Sequence, residues 1–373
     1  MTSVLHVIDR NCDVTQLQVL ETLRLRHTQA GIACAVAAID SAARRRARVF
    51  VDAPIEMCPR LLPSPFMNMS PGLSRLARKS RATIVHAWGV EAAAVCSTVL
   101  RGLPLSMNLL NPESTDDAAR WVRTFPAGAT VVAGSQLIQS RLLTAGLPAH
   151  RIVVVRGAAD FAAVNKARRD GVREYVVGSA KPVVLLSGPA SEIGGQKWAI
   201  WASGIVRFLH PGLKVILPYD APESRKLLRW VSSMRMRDMV VVPDVRLTWP
   251  ELVACADVFL QPTQGEVCTE PLATAMAANV PVVASAVRSI AEMIADKHNG
   301  LLVKNAEPKL VAARLLTAIE DAVLVRQITE TARSQAYEVF GVRAFADNYL
   351  RVYENIAAGR SAGDGVMDTA MVA

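Results

Sequence analysis

The densest run of residues able to do chemistry lies between Gln264 and Val303, QGEVCTEPLATAMAANVPVVASAVRSIAEMIADKHNGLLV. An apolar strand pattern over 257–261 ends at Pro262, and a polar loop with Gly265 and Glu266 follows. A helix is predicted from Thr269, whose hydroxyl can cap it, with Pro271 in the first turn where a missing N–H costs nothing. The helix runs over 271–278 on Ala, Leu and Met and stops at Asn279, a residue that tolerates the left-handed conformation. A helix start placed directly after a strand end turns unpaired N–H groups and a positive dipole end towards the loop, which suits a diphosphate. An ordinary βαβ unit without a ligand has the same pattern. Other turns after strands carry further candidates. Gly194 and Gly195 stand just before a helix and offer backbone donors, and Lys197 follows them. Arg246 in VPDVRLTW and Arg288 in ASAVRSI each come after a strand. No Asp-any-Asp loop and no Cys or His spacing marks a metal site, so no metal is expected.

These residues need a scaffold that brings strand ends together. Short β-branched runs recur at 3–8, 33–39, 82–88, 130–134 and 151–155, and again at 182–188, 213–218, 238–243, 257–262, 280–285 and 300–303. Helical patterns separate them, among them 15–29, 90–101, 195–209, 222–235, 249–256, 270–278, 287–295 and 307–322. Such alternation predicts parallel sheets with right-handed crossovers. The charged stretch 160–180 divides the two series. The expected organisation is an N-terminal domain over 1–165, a C-terminal domain over 175–340, a helix at 341–358 that could pack back on the N-terminal domain, and a disordered tail over 359–373. The fold class is α/β, with two Rossmann-like, doubly wound domains facing each other across a cleft. Ligands in such folds sit at the carboxyl ends of the strands. The first strand is not followed by GxGxxG, which argues against a dinucleotide-dependent oxidoreductase.

The chain of 373 residues has 42 Lys and Arg against 33 Asp and Glu, a formal charge of +9. Basic residues concentrate at Arg44–Arg48 and at Arg75, Arg78, Lys79 and Arg81. They suit an anionic membrane surface or an acidic acceptor, and equally a plain solvated face. No nucleic-acid-binding motif accompanies them. The six cysteines are scattered, several inside apolar runs, as expected in a reducing cytoplasm. The N-terminus does not read as a signal peptide, and no apolar stretch reaches the ~18 residues of a membrane span. The expected location is cytoplasmic, with the inner face of the membrane as a peripheral site.

The segment 264–303 resembles the donor-site signature of the family-4 retaining glycosyltransferases, which have the GT-B fold. Ala275-Met276-Ala277, Pro281-Val282-Val283-Ala284, Glu292 and Asn299-Gly300-Leu301-Leu302-Val303 match that signature in order and spacing. Ala256-Asp257-Val258-Phe259-Leu260 matches the strand before it, and residues 134–160 are similar to the family's last N-domain helix and linker strand. The resemblance implies transfer of a sugar from a nucleotide-diphosphate donor, with retention and without a cofactor. It places Glu266 near the transferred sugar and the diphosphate, and Lys197 on the diphosphate. The ribose-gripping Glu of the family falls on Thr274, and the Gly-aromatic-Gly becomes Val267-Cys268-Thr269. Glu270, one turn before Thr274, could substitute, or could simply be a charge partner for the helix start. Pro189 stands where the family has a phosphate-clamping Arg. His86, in TIVHAWG, corresponds in layout to a strand-end His on the acceptor side. The residues expected to build the site are therefore Glu266 and His86 for catalysis, and Gly194, Gly195, Lys197, Arg246, Glu266, Thr269, Glu270, Thr274 and Arg288 for the donor. The replaced positions also motivate the alternative of a catalytically inactive GT-B-fold protein that serves as a binding or regulatory partner.

Overall fold

The computed structural model describes residues 2–59, 70–110, 115–126, 128–188, 190, 192–218, 221–265 and 268–366. The chain forms two units, one of Met1–Arg156 with Val342–Thr369 and a second of Gly157–Gly341.

Unit 1 is built on strands β1 (Ser3–Ile8), β2 (Ala33–Ala38), β3 (Ile55–Met57), β4 (Ile84–Trp88), β5 (Leu105–Leu109), β6 (Thr130–Ala133) and β7 (Ile152–Val154). Its helices are α1 (Val14–Gln29), α2 (Ser41–Phe50), α3 (Pro71–Lys79), α4 (Val90–Val99), α5 (Thr115–Thr124) and α6 (Gln136–Thr144). All pairings are parallel, in the order β3-β2-β1-β4-β5-β6-β7. Unit 2 begins with helices α7 (Phe161–Arg169) and α8 (Val172–Val177). It continues with strands β8 (Val183–Leu186), β9 (Lys214–Ile216), β10 (Val240–Val241), β11 (Val258–Gln261), β12 (Val282–Ser285) and β13 (Leu301–Val303). They form a second parallel sheet, ordered β10-β9-β8-β11-β12-β13. Its other helices are α9 (Gln196–Val206), α10 (Ala221–Ser233), α11 (Trp249–Ala254), α12 (Glu270–Ala277), α13 (Arg288–Ala291), α14 (Pro308–Glu320) and α15 (Ala322–Val339), and α16 (Val342–Ala357) returns to unit 1. Both units are doubly wound. The β8–β11 pair, where strand order reverses, is the switch point of unit 2.

The elements follow from local chemistry. Asp13 and Gln16 form a reciprocal capping box that starts α1. Asn279 takes φ +57° to end α12, as its type suggests. The strands of both sheets are apolar and wholly buried at their centres, as sheets covered on both faces require. The strands β3 and β5 escape the sequence pattern. β3 has three residues, and β5 carries Ser106 and Asn108 into the interior.

Two boundaries differ from expectation. The division falls at Arg156/Gly157, ahead of the charged stretch, because that stretch is helical and packs on unit 2. Asp160 caps α7 through the amides of Ala162 and Ala163, and Val164 and Ala167 are buried. The tail is ordered through Val366: Asn355 Nδ2 donates to Asp364 O at 2.7 Å, and Ala362 N donates to His150 O at 3.2 Å. No helix among the described residues is long and apolar enough to cross a membrane.

His86 is placed differently from the strand-end reading. It sits mid-strand in β4, directly beside His6 of β1, and has no exposed surface. Its Nδ1 lies 2.5 Å from the Tyr353 hydroxyl of α16 and its ring stacks on Trp88. Trp88 Nε1 donates to His6 Nδ1 at 3.1 Å, and His27 Nε2 bonds Ala346 O at 3.0 Å. The histidines thus fasten α16 to the sheet, and His86 offers no surface to a substrate from solvent. Burial lowers the pKa of all three, that of His86 from 6.5 to about 3.

The unfolded chain takes up these protons near 6.5, while the folded one resists, so stability falls as pH drops below 6.5 towards about 3. The melting temperature should therefore decline from about pH 7 to about pH 5, and less steeply in His86→Phe, which cannot take a proton. Parallel pH profiles for wild type and variant in a thermal melt would overturn this account.

Candidate functional site

At the switch point of unit 2 the loop 187–195, after β8, meets the loop 262–269, after β11. The contact is backbone on backbone. Gly195 has φ +68°, and a Cβ placed there would lie 1.8 Å from Pro262 O. Gln264 N and Thr263 Oγ1 each approach Ile193 O at 2.7 Å. Gln196, the first residue of α9, donates through Nε2 to Gly188 O at 2.5 Å. The two glycines of the β8–α9 turn thus serve the meeting of two loops. Gly195 N–H is already bonded to Glu192 O at 3.1 Å and is not offered to a ligand.

The start of α12 is also less open than its sequence suggests. Thr269 is the N-cap residue but makes no side-chain cap. Its φ and ψ of −101° and 2° are not the extended geometry from which a threonine hydroxyl reaches the third amide. Pro271 has no N–H, and the amides of Leu272 and Ala273 both donate to Thr269 O, at 3.1 and 3.2 Å. Thr274 is buried, and its hydroxyl turns back to Glu270 O at 3.4 Å. Glu266 and Val267 lie outside the described residues.

Glu270 holds a different position from a helix charge partner. Its carboxyl is enclosed against the Gly157–Ala158 backbone, so close that a Cβ on Gly157 would lie 1.8 Å from Oε2. Burial raises its pKa from 4.5 to about 8, and the Ala158 N–H only partly offsets this. The shift favours the neutral acid at neutral pH and so weakens its role as a charge partner for the helix start.

The cations separate as well. Lys197 is exposed on α9, its Nζ 5.3 Å from the Trp198 ring centroid and 5.4 Å from that of Trp230. Arg246 grips Asp244 of its own loop through NH2 at 2.6 Å. Arg288 is exposed at the start of α13. The structure therefore brings Gly194, Gly195, Thr269, Glu270 and Thr274 to the two adjoining loops and the start of α12, and turns Lys197 and Arg246 to other partners.

A cavity of ≈ 530 Å³ opens at the same edge of the sheet. Trp198 of α9, Thr263 and Gln264 after β11, and Ser285 and Val287 at the end of β12 line one side, and residues 304–308 after β13 the other. Lys304 is its cation and Glu307, the N-cap of α14, its carboxylate. Asn305 Oδ1 accepts from Glu307 N at 3.2 Å and shapes this turn. Near the cavity, Ser187 Oγ, Gln196 Oε1, Gln261 Oε1 and Ser285 Oγ are buried with no hydrogen-bond partner among the described residues. Buried polar atoms ordinarily find a partner, so four at one sheet edge mark a place built to meet water or a ligand. Sequence reasoning missed Ser285, Lys304 and Asn305. The available signal was the strand-to-helix turn after GLLV. Among the described residues no three His, Cys, Asp or Glu side chains gather as metal ligands.

Residues 181–321 match the family Glycosyl transferases group 1. That match lies wholly within unit 2. The chain is 25% identical over 329 residues to alpha-maltose-1-phosphate synthase of Mycolicibacterium smegmatis, covering 78% of this chain and 83% of that one. It is 28% identical over 143 residues to N-acetyl-alpha-D-glucosaminyl L-malate synthase of Bacillus anthracis, a match spanning 38% of each chain. Among solved structures, Anabaena HepE in complex with UDP-glucose superposes with a TM-score of 0.77 at 19% identity, covering 95% of this chain and all of that one. Sucrose-phosphate synthase from Thermosynechococcus elongatus gives 0.72 at 14% identity, with 96% and 100% covered. The fold is GT-B, and the family match falls in the unit that holds the cavity and both adjoining loops.

The loop contact makes Gly195 the most demanding position of this domain. Gly195→Ala should cost about 1–3 kcal/mol from its positive φ alone, with loss of the loop contact besides. An unchanged melting temperature would contradict the geometry. Glu270→Gln should stabilise the protein increasingly as pH rises from 4.5 to about 8, because only the unfolded wild type gives up its proton in that window. A melting difference that stays constant across this range would show the carboxyl to be ionised.

Proposed function

We propose that the chain is a glycosyltransferase that takes a sugar from a nucleotide-diphosphate donor held at the carboxyl edge of the unit 2 sheet. The observation that supports this best is the set of buried, unpartnered polar atoms at that edge, beside a cavity of ≈ 530 Å³ with Lys304 on its wall. That volume falls in the range of small-molecule sites. A leaving diphosphate gains negative charge as the glycosidic bond breaks, and groups already oriented towards that charge lower the barrier. Here Lys304 supplies a cation. The start of α14 supplies the amides of Lys309 and Leu310, which precede the first helical bond from Val311 N to Glu307 O. The Ser285 hydroxyl is a third donor. Glu266 positions the donor sugar in this reading, and transfer proceeds with retention, as the likeness to the family-4 enzymes implies. Glu270 acts as a positioning residue: its protonated carboxyl ties the 157–158 segment to the start of α12. Stabilisation by these groups requires no metal.

Anabaena HepE is solved in complex with UDP-glucose, which makes UDP and UDP-glucose the first probes. UDP should raise the melting temperature, since it binds only the native state. Lys304→Ala should weaken its binding by about tenfold or more in titration calorimetry, the cost of one charged hydrogen bond. Glu266→Ala should leave UDP binding largely intact and reduce hydrolysis or transfer from the sugar nucleotide well below wild type. If no nucleoside diphosphate or its sugar shifts the melt, the donor assignment fails.

A second reading has its own support. Arg246 is tied to Asp244, Lys197 stacks on tryptophans, and Thr274 bonds its own helix. A chain that kept the fold and turned its cations elsewhere would bind a nucleotide or a partner without turnover. Tight UDP binding with no transfer or hydrolysis from any sugar nucleotide would favour it.

A further inference from the structure

Three of the six tryptophans gather on one surface of unit 2. Trp198 stacks on Trp201 at 6.3 Å, and Trp201 meets Trp230 of α10 at 6.2 Å. They belong to a longer stripe. Trp198, Trp201 and Ile205 recur three or four residues apart on α9, the spacing of one helix face, and Phe208 and Leu209 follow in the turn after it. Phe208 is 89% exposed, Leu209 65%, Trp201 39% and Ile205 37%. The opposite face of α9, with Ala199, Ile200, Ala202 and Val206, is fully buried and already satisfies the core. The outer stripe therefore adds nothing to the fold that polar residues would not.

The stretch that carries the stripe is basic. From Lys197 to Asp238 the sequence has eight Lys or Arg and three Asp or Glu. Arg225, Lys226, Arg229 and Arg235 are exposed and in no ion pair among the described residues. Arg207 is spent on Asp238. Lys197 lies against the rings of Trp198 and Trp230 and extends the charge to the edge of the aromatic cluster.

We propose that this face of unit 2 docks on an anionic membrane surface. Phe208 and Leu209 enter the boundary of headgroups and acyl chains, the three tryptophans lie at the interface, and the cations of α10 and the turn after it meet lipid phosphates. Tryptophan favours that depth because its ring is apolar and its N–H polar. Neither signal alone gives stable attachment, and the surface carries both. A second copy of the chain is a poorer occupant, because a two-fold interface would set these positive charges against themselves. The basic helices α2 and α3 of unit 1 have the charge without the apolar part: among their described residues only Val49 is a large exposed hydrophobic. The proposal is independent of whether the chain transfers sugar.

The test uses the full chain with vesicles of phosphatidylcholine, with and without phosphatidylglycerol. Wild type should float with the anionic vesicles only, and its tryptophan emission should shift to the blue. Phe208→Ser with Leu209→Ser, on exposed positions, should keep the melting temperature and bind at least about tenfold more weakly. Arg45→Ser with Arg78→Ser, in unit 1, should bind as wild type does. Wild type left unbound at low salt, or a Phe208/Leu209 variant that binds undiminished, overturns the proposal. So does loss of binding in the unit 1 variant, or a lipid-free dimer that the Phe208/Leu209 variant dissociates, which assigns the face to a second copy. Retained flotation competed away by an acidic protein rather than by anionic lipid would likewise overturn it.

Discussion

The approach of Gly195 to Pro262 O fixes the working edge of unit 2. Two parallel strands side by side deliver their loops to one place, and each loop must pass the other without a side chain between them. A residue with a Cβ at Gly195 would push the β11 loop away by more than an ångström. That displacement would carry with it Thr263 and Gln264, which hang on Ile193 O, and the start of α12 beyond them. It would also tilt α9, whose first turn rests on Gly195 O through Trp198 N and Ala199 N. The cavity wall and the outward face of α9 share this origin, since Trp198 lines the one and begins the other.

Both units bury polar groups among apolar strands. In unit 1, His86 meets the Tyr353 hydroxyl and Trp88 Nε1 donates to His6 Nδ1, contacts that help to hold α16 against the sheet. Burial keeps the imidazoles neutral, which the bond from Trp88 Nε1 to His6 Nδ1 requires. In unit 2 Ser187, Gln261 and Ser285 at strand ends and Gln196 at the start of α9 each have a buried polar atom with no partner among the described residues. A buried hydroxyl or amide without a partner costs about 1–3 kcal/mol. In unit 2 these atoms gather at the sheet edge where two loops meet, and in unit 1 unpartnered atoms such as His6 Nε2 and His86 Nε2 lie within the sheet interior.

The strand-and-helix rhythm, both sheets and the Asn279 helix stop could be read from the sequence, because each depends on residues close in the chain. β3 and β5 could not: a three-residue edge strand has no pattern, and β5 hides Ser106 and Asn108 among apolar neighbours. The unit boundary falls ahead of the charged stretch, because a helix such as α7 can be charged outside and buried on Val164 and Ala167. The loops after β8 and β11 are legible as strand-to-helix turns, but the side-chain directions within them are not, because direction depends on contacts across the fold. His86 corresponds in layout to a strand-end His, and the hydroxyl it meets comes from Tyr353, 267 residues later.

The cations show why such a site resists reading from motif position alone. Lys197 occupies a matching place in the sequence, yet its ammonium lies against two tryptophan rings. Arg246 follows a strand as a phosphate ligand would, yet Asp244 two residues earlier offers both oxygens at once, and a bidentate partner close in the chain forms at little entropic cost. A phosphate-binding cation must have no better anion or π face within reach. Lys304 lines the cavity and is in no ion pair among the described residues, which is what the proposed donor site asks of a cation. The charge that matters for a diphosphate is therefore decided by which cation its surroundings leave available, and only the folded chain fixes that.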